Sequence, residues 1–460
     1  MPAPGFLNRA LFALILFAAG RPGPACAADA PFAIATFSVD VTVPIGHGMM
    51  GGYWRATSVA DPLYAKGVVL WGGAQPVVFV SVDWCEIRND AYDRWREVIA
   101  AAVGTTRERV LVSSIHQHEA PVADLTAQRF LEERGLEDGV CDVEFHEQAV
   151  QRVAAAVRTA ATRKRPITHL GLGQAKVERV ASNRRYLLPD GRPSFNRGSA
   201  SAANVLAREA PEGVIDPWLK TLSFWHDAEP VAALNAYAVH PMSYYRTGEI
   251  SADFPGLARD RRQRETPDCL QIYVSGASGN VTAGKYNDGA RATRAVLADR
   301  LHAAMAAAWR ETKRVPLTAL DFRNTTVRLA PRDEPGHRRD DLLAVLVPAR
   351  LPRERNLAAM GLSWWKRVDA GQPIDVPLLD FGVAQLLLLP GESYVEFQLA
   401  AQRMKPGSFV MVAGFGESAT GYVPTEQAVK EKDTNLGDWS WVAPGAEAAL
   451  LAAIQRVVQP

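Results

Sequence analysis

The chain has 460 residues, which is enough for one large catalytic domain or two ordinary ones. Hydrophobic residues make up 48% and charged residues 22%, a globular composition that argues against disorder and collagen-like structure. Lys and Arg together number 51 and Asp and Glu together number 50, so the net charge is +1. The chain therefore has no overall electrostatic field that would attract nucleic acid or an anionic membrane, and we expect no nucleic-acid partner.

Residues 1–30 have the layout of a secretory signal peptide. Arg9 precedes an apolar run over residues 10–20, which is too short to span a bilayer as a helix. A-x-A-like cleavage sites follow within residues 25–30. The alternative interpretation is a short membrane anchor that is retained. We expect a secreted or periplasmic protein with no transmembrane segment after removal of the signal.

The chain has four cysteines, which are Cys26, Cys85, Cys141 and Cys269. Signal cleavage would leave three of them, so at most one disulfide can form within the mature chain. None of their spacings is typical of a metal site. The cysteines therefore indicate little about function, and their pairing stays open.

Downstream of the signal, apolar strands alternate with amphipathic helices. The predicted strands cover residues 75–82, 110–115, 231–239, 270–274, 382–389 and 409–413. One predicted helix begins near residue 89 and stops at Gly104. The other predicted helices cover residues 144–163, 291–312, 392–404 and 446–457. This pattern predicts an α/β protein with buried mixed β-sheets flanked by helices.

Residues 320–380 are harder to assign. They contain a charged stretch and a helical pattern through Trp364 and Trp365, without a clear domain boundary. A second lobe is one interpretation of this region. We predict instead a single large catalytic domain over residues 31–460.

Polar side chains that bind metals or move protons follow several of the predicted strands. They are Asp83, His116, His118, His240, the serine-rich residues 275–280, Glu392 and Tyr422. Ligands of α/β sheets bind beyond the carboxyl ends of the strands. The sequence therefore predicts that these side chains share one pocket.

His116 and His118 are two residues apart, a spacing that places both rings on the same side of an extended chain. Both could bind a metal, one could bind while the other handles protons, or both could be held by loop hydrogen bonds. His240, Glu392 and Tyr422 also have ordinary interpretations, as a core histidine, a helix-start acid and a half-buried aromatic residue.

The ordered set of motifs resembles the neutral, non-lysosomal ceramidase family. The segments that carry the resemblance are residues 40–42 (DVT), 49–51 (MMG), 77–83 (VVFVSVD), 113–121 (SSIHQHEAP), 235–243 (NAYAVHPMS), 273–281 (YVSGASGNV), 389–392 (LPGE) and 421–425 (GYVPT). They span almost the whole mature chain in the family's order. Each motif is modest alone, and the ordered set is the specific feature.

The resemblance implies one Zn²⁺ per chain. Its implied ligands are His116, His240, Glu392 and Tyr422. His118 would move protons beside a zinc-activated water, and Arg184 would face the substrate carbonyl. Ser278 and Asn280 of the serine-rich loop are expected to bind substrate.

The chain departs from the family pattern in three places. The family's candidate nucleophilic serine falls on Gly276, which favours a zinc-water mechanism over a serine nucleophile. Residues 429–437 differ from the family, and Trp439 and Trp441 beside them either line the pocket or serve as buried structural residues. The chain ends soon after the last predicted helix, so we expect no appended β-sandwich domain.

These observations predict a secreted zinc-dependent amidohydrolase that cleaves the N-acyl amide bond of a ceramide-like lipid or related N-acyl substrate. The alternatives are a zinc-dependent esterase or peptidase on the same site, or a non-catalytic binding protein of the same fold. The expected partner is a small-molecule or lipid N-acyl substrate. The sequence gives no prediction of the oligomeric state.

Overall fold

A computed structural model of the protein describes residues 1–2, 5, 31–136 and 139–459. The predicted signal peptide therefore lies outside the described residues, except for residues 1, 2 and 5. Within the described ranges, no helix combines the length and apolarity that crossing a membrane requires.

Strands and helices alternate along the chain as the sequence pattern predicts. The strands are β1 (Ala33–Asp40), β2 (Gly48–Met49), β3 (Trp54–Arg55), β4 (Ser58–Val59), β5 (Tyr64–Trp71), β6 (Val77–Val82), β7 (Glu86–Ile87), β8 (Val110–Ser114), β9 (Val122–Ala123), β10 (Arg165–Pro166), β11 (His169–Lys176), β12 (Ser182–Asn183), β13 (Tyr186–Leu187), β14 (Pro193–Ser194), β15 (Trp218–His226), β16 (Glu229–Tyr237), β17 (Glu249–Ile250), β18 (Leu270–Ser275), β19 (Val281–Thr282), β20 (Lys313–Pro316), β21 (Asp321–Val327), β22 (Ile374–Asp380), β23 (Ala384–Leu388), β24 (Glu392–Ser393), β25 (Phe409–Ala413) and β26 (Tyr422–Val423). The helices are α1 (Asn89–Val103), α2 (Leu125–Glu132), α3 (Val143–Ala161), α4 (Val205–Glu209), α5 (Asp253–Glu265), α6 (Arg291–Arg310), α7 (Arg339–Val345), α8 (Pro352–Asp369), α9 (Val395–Met404), α10 (Glu426–Lys430) and α11 (Ala446–Val458), with short 3₁₀ helices at Arg107–Arg109 and Thr434–Leu436.

Three mixed sheets form the framework. Their strand orders are β10-β1-β5-β6-β8, β18-β16-β15-β11-β20 and β21-β22-β23-β25. Neighbouring strands in them run antiparallel, except for the parallel pairs β6/β8, β16/β18 and β23/β25. A helix connects each parallel pair, namely α1, α5 and α9, because parallel strands need a crossover connection. The predicted class of buried mixed sheets flanked by helices is confirmed.

The three sheets share a core on their inner faces. In β6, Val77 and Phe79 point into a buried cluster that also contains Phe224 of the second sheet and Leu386 of the third. The intervening residues of β6 belong to the other apolar cluster, which the helices help to form. Burial on both faces explains why β6 is an unbroken apolar run and not an alternating one.

Helix α1 illustrates how local signals set an element boundary. Its buried face includes Tyr92, Trp95 and Ile99, and it ends at Gly104, whose φ of 68° is left-handed. The N–H of Gly104 donates to the carbonyl of Ala100, which satisfies one of the free carbonyls at the helix end. The predicted helix stop is therefore confirmed.

Residues 320–380 form part of the same folded unit. Strands β21 and β22 pair with each other and extend the third sheet, and α8 packs on α2. The region therefore completes a sheet and does not form a second lobe.

Asp83 does not join the predicted pocket. It is fully buried, and its carboxylate accepts from the guanidinium of Arg259 on α5 at 2.6 Å and from the Tyr64 amide at 2.9 Å. The expectation that Asp83 contributes to the site is wrong. The ion pair between Asp83 and Arg259 instead links the end of β6 in the first sheet to α5.

We expect Arg259→Met to lower the free energy of unfolding by about 3–5 kcal/mol, because it leaves the Asp83 carboxylate buried without its partner. Denaturant unfolding would measure the loss. The double variant Asp83→Asn with Arg259→Met is the control and should recover most of it, since no unpaired charge remains. Equal losses in the single and double variants would contradict a contribution from the pair.

Candidate metal centre

The carboxyl ends of strands from all three sheets converge on one buried group of side chains. His116 follows β8, His240 follows β16, and Glu392 and Tyr422 lie on β24 and β26, just beyond β23 and β25. The ligand atoms of His116, His240 and Glu392 all lie within 4.8 Å of one another. The structure thus brings these predicted site residues into a single pocket.

His116 occupies an unusual backbone conformation at the end of β8. Its φ is 67°, which is uncommon for a residue with a Cβ and is associated with functional positions. Its amide donates to the Trp84 carbonyl at 3.0 Å, and its ring stacks on Phe415 with centroids 4.3 Å apart. These contacts turn the imidazole away from the strand and into the pocket.

The two imidazoles are oriented in the same way. Nδ1 of His116 lies 3.0 Å from the Cys85 carbonyl oxygen, and Nδ1 of His240 lies 2.6 Å from the Ser278 carbonyl oxygen. A carbonyl can only accept, so Nδ1 donates in both rings, and Nε2 is left to face Glu392. The Nε2 atoms lie 3.4 Å and 2.8 Å from the same Glu392 Oε2. Metal-binding histidines characteristically have this outer hydrogen bond.

Charges in the group shift the pKa values in opposite directions. Burial opposes a proton on His116, but Cys85 and the Glu392 carboxylate raise the pKa of this imidazole well above its ordinary value. Burial and the Arg184 charge lower the pKa of His240 to about 4. Burial raises the pKa of Glu392, but the two histidines outweigh it and hold that pKa far below its ordinary range. The carboxylate is therefore ionised.

Glu392 and Tyr422 are held side by side by a short parallel pairing. Strands β24 and β26 place the two residues in direct register, and the Glu392 amide donates to the Gly421 carbonyl at 2.9 Å. Gly391 has a φ of 50°, and a Cβ there would collide with the Thr420 hydroxyl, which explains the glycine of the LPGE motif. The predicted helix over residues 392–404 begins only at residue 395, because the pairing of β24 with β26 keeps Glu392 in a strand.

Arg184 is hydrogen-bonded to the Tyr422 hydroxyl. Its guanidinium donates to that oxygen at 2.8 Å and to the Asn435 side chain at 3.1 Å. Its Nε is buried without a hydrogen-bond partner among the described residues. Burial raises the pKa of the Tyr422 phenol, while the Arg184 charge opposes that shift. Arg184 is 6% exposed, so it is a buried cation beside the centre and not a surface arginine.

His118 faces the same pocket from the other side of His116. The two ring centroids are 5.3 Å apart, and His118 is 7% exposed. Neither of its ring nitrogens has a hydrogen-bond partner within the described part of the chain. Burial, followed by the charges of His116 and His240, holds the pKa of His118 well below its ordinary value. The imidazole is therefore neutral at pH 7 and free to accept a proton.

Ser278 and Asn280 lie next to the centre, but their side chains have partners within the protein. The Ser278 hydroxyl donates to the Gly276 carbonyl at 3.1 Å. The Asn280 amide donates to Glu396 at 2.8 Å and accepts from the Val395 amide at 2.9 Å. Their predicted role in substrate binding stays a prediction. The carbonyl of Ser278, which orients His240, is a function that the sequence motif did not indicate.

A cavity of about 380 Å³ lies near the centre and is lined by both sequence neighbours of Arg184, Asn183 and Arg185. Its apolar lining includes Leu187, Phe195, Val214 and Tyr394, and its charged lining consists of Arg185, Glu396 and Asp433. The Tyr394 ring lies 6.4 Å from that of Tyr422, so this side chain stands between the cavity and the centre. The volume falls within the range of about 300–1,000 Å³ that is common for small-molecule sites.

The two tryptophans singled out by the sequence have different surroundings. Trp441 is buried with the Arg88 guanidinium 4.4 Å from its ring centroid, which fits a structural role. Trp439 donates from Nε1 to Oε1 of Glu86 at 2.9 Å, and the same Glu86 oxygen lies 3.9 Å from His116 Nδ1. Trp439 thus contacts a carboxylate behind His116 that the sequence analysis missed.

An alternative group that could hold a metal ion consists of Cys85, His116 and His118, whose ligand atoms also lie within 4.8 Å of one another. Burial raises the pKa of the Cys85 thiol to about 11, and Nδ1 of His116 already donates to the Cys85 carbonyl. This geometry favours the group built on Glu392. Cys85, Cys141 and Cys269 are all buried and free.

No protein-family model and no curated protein sequence matches the chain. Solved structures that are similar to it include two ceramidases. The first is a neutral ceramidase from Pseudomonas aeruginosa, with a TM-score of 0.67 and 18% sequence identity over 94% of this chain and 74% of that one. The second is a ceramidase complexed with C2, with the same TM-score and identity over 94% of this chain and 75% of the other. The chain therefore has the fold of the neutral ceramidases.

Proposed function

We propose that the protein is a zinc-dependent amidohydrolase that cleaves the N-acyl amide bond of a ceramide-like lipid or a related N-acyl substrate. One observation carries the proposal, namely that Nε2 of His116 and Nε2 of His240 converge on one Glu392 oxygen while both Nδ1 atoms donate to carbonyls. The fold shared with solved ceramidases supports an amide as the bond that is cleaved.

The donor set suits zinc, which favours imidazole nitrogen and carboxylate oxygen. His116, His240, Glu392 and Tyr422 would hold the ion. His116 Nε2 is buried with no hydrogen-bond partner among the described residues, as expected of an atom that is a metal ligand. When bound, zinc supplies Lewis acidity, which lowers the pKa of a water ligand to about 7 and polarises a carbonyl.

The remaining steps fall to the protein's own side chains. Arg184 would donate to the carbonyl oxygen of the amide and stabilise the negative charge that develops there. Neutral His118 would take a proton from the attacking water and deliver it to the leaving amine nitrogen. The low pKa of His118 favours this role, because the imidazole is unprotonated before the attack.

The cavity beside Arg184 suits the acyl half of the substrate. Leu187, Phe195 and Val214 give it apolar walls, and Asn280 lies in its lining close to the centre. Burial of an alkyl chain there would contribute about 0.8 kcal/mol per methylene group. The amine half would then lie on the opposite side of the scissile bond, next to His118.

Export is part of the proposal and rests on the signal-like residues 1–30. N-terminal sequencing of protein recovered from the periplasm or the medium would test it. A mature chain beginning near residue 30 supports cleavage, whereas an intact N-terminus on membrane-bound protein would indicate a retained anchor.

We expect purified protein to contain about one zinc per chain and to release fatty acid from N-acyl substrates. Metal analysis of the wild type and of His116→Ala, followed by a panel of N-acyl and O-acyl lipids, tests both parts. Metal-free protein of unchanged stability would contradict the zinc centre. Turnover of esters alone would indicate an esterase, and bound zinc without turnover would indicate a binding protein.

A further inference from the structure

Four aromatic side chains, Tyr53, Trp54, Tyr245 and Trp439, form an aromatic rim around the His118 side of the centre. The ring centroids are 6.5 Å apart for Tyr53 and Trp54, 6.0 Å for Trp54 and Tyr245, and 5.8 Å for Tyr53 and Trp439. Tyr245 also lies 5.1 Å from His118. Three rim residues are partly exposed while His118 is buried, so the rim lies between the centre and solvent.

A buried carboxylate fixes the geometry of the rim. Glu119, the residue after His118, accepts from Trp54 Nε1 at 2.9 Å. Its other oxygen accepts from the amide of Thr247 at 2.6 Å and from the hydroxyl of the same residue at 2.8 Å. One side chain therefore holds both Trp54 and the turn that carries Tyr245 and Arg246.

Arg246 is the exposed cation of this turn. It has a left-handed φ of 68°, and its guanidinium lies 5.3 Å from the Tyr245 ring centroid. Burial raises the pKa of the Tyr53 phenol, and the charges of Arg353 and Arg246 both oppose that shift. Because Arg246 is exposed and its guanidinium lies over the Tyr245 ring, its charge lies on the solvent side of the rim.

Arg246 differs from the other arginine of the rim. Arg353 lies over Tyr53 at 4.9 Å and pairs with Asp438 at 2.7 Å. Among the ion pairs of the described residues, none involves Arg246. A guanidinium stacked on a ring keeps its edge N–H groups available for a planar carboxylate. Arg246 is thus the arginine of the rim that has no ion pair within the described part of the chain.

The position of His118 determines which half of the substrate meets this cation. On the proposed function, on which this inference rests, His118 must reach the leaving nitrogen, so the amine half lies under Tyr245 and beside Arg246. A neutral amine half would leave Arg246 without a partner. We propose that Arg246 binds a carboxylate on the amine half, so that the preferred substrates are N-acyl amino acids.

The reaction needs no further reactant. Water supplies the oxygen of the new C–O bond, the amide C–N bond breaks, and the proton from water passes to the amine nitrogen. The products are a fatty acid and a free amino acid.

The test compares N-lauroylglycine with N-lauroylethanolamine, which share the acyl chain and differ in a carboxylate against a hydroxymethyl group. With zinc-loaded protein we expect kcat/KM to be about tenfold higher for the glycine conjugate, the low end of what a charge-assisted hydrogen bond contributes. Arg246→Gln should raise KM for the glycine conjugate and bring the ratio of the two kcat/KM values close to one. Added salt should reduce the wild-type ratio.

Arg158→Gln, at an exposed arginine of α3, is the matched control and should keep the wild-type ratio. Equal or better hydrolysis of the ethanolamide by the wild type, or a wild-type ratio in Arg246→Gln, would overturn this inference and leave the amidohydrolase intact. Hydrolysis of ceramide but of neither compound by zinc-loaded protein would also overturn this inference and leave the amidohydrolase intact. Hydrolysis of none of the three would overturn the proposed function, and this inference with it.

Discussion

Glu392→Gln should give a folded protein that no longer retains zinc. Glu392 is the only carboxylate of the proposed ligand set, and both histidine Nε2 atoms face its Oε2. An amide removes the negative charge that offsets the ion. Outer-shell partners alone contribute about 10–100-fold to metal affinity, so we expect loss of the ligand itself to cost at least about a hundredfold. Amide hydrolysis should fall with the bound zinc.

Zinc content after dialysis against a chelator is the measurement for Glu392→Gln. Glu417→Gln is the matched control, because Glu417 is an equally buried glutamate outside the ligand set. Burial raises the pKa of Glu417 to about 7, and it accepts from the Asn89 and Ala419 amides, which a glutamine oxygen can also do. The control should keep its zinc. Wild-type zinc retention in Glu392→Gln would contradict the proposed centre.

The elements that the sequence predicted well are those set by local patterns. β6 was identifiable because burial on both faces leaves an unbroken β-branched run. α1 was identifiable because an apolar face ends at a glycine that adopts a left-handed conformation. Neither signal depends on residues distant in the chain.

Predictions failed where pairing between distant residues decided the outcome. Glu392 follows the pattern of a helix start, but pairing with Tyr422 keeps it in a strand. Asp83 follows a strand as His116 does, yet the Asp83 carboxylate forms an ion pair with Arg259, which lies 176 positions further along the chain. The sequence contains both partners of each pair and gives no indication that they meet.

The candidate site was predictable as a set of side chains and not as a hydrogen-bonded arrangement. Strand ends and family motifs indicated His116 and His240. The carbonyls of Cys85 and Ser278 that orient the two rings come from the backbone, which has no sequence signature. Likewise the unpaired charge of Arg246 becomes apparent only when its neighbours are known.

His118→Asn should keep zinc and lose turnover. General acid–base catalysis contributes about 10²–10⁴-fold, so we expect kcat to fall by that factor with the zinc content unchanged. The two variants then separate the roles of neighbouring groups, since Glu392→Gln loses the metal and His118→Asn loses proton transfer. His146→Asn is the matched control, because His146 of α3 is also buried with both ring nitrogens lacking hydrogen-bond partners among the described residues.

The pH profile gives an independent measure of His118. Burial lowers the pKa of His118, so its base form is present above that low pKa and is lost as the pH falls through it. The acid limb of kcat/KM in the wild type should therefore lie below the ordinary histidine pKa of about 6.5. His118→Asn should lose this limb together with most of the rate. If His118→Asn lost zinc as completely as Glu392→Gln, His118 would be a ligand, and the group with Cys85 would become the better description of the centre.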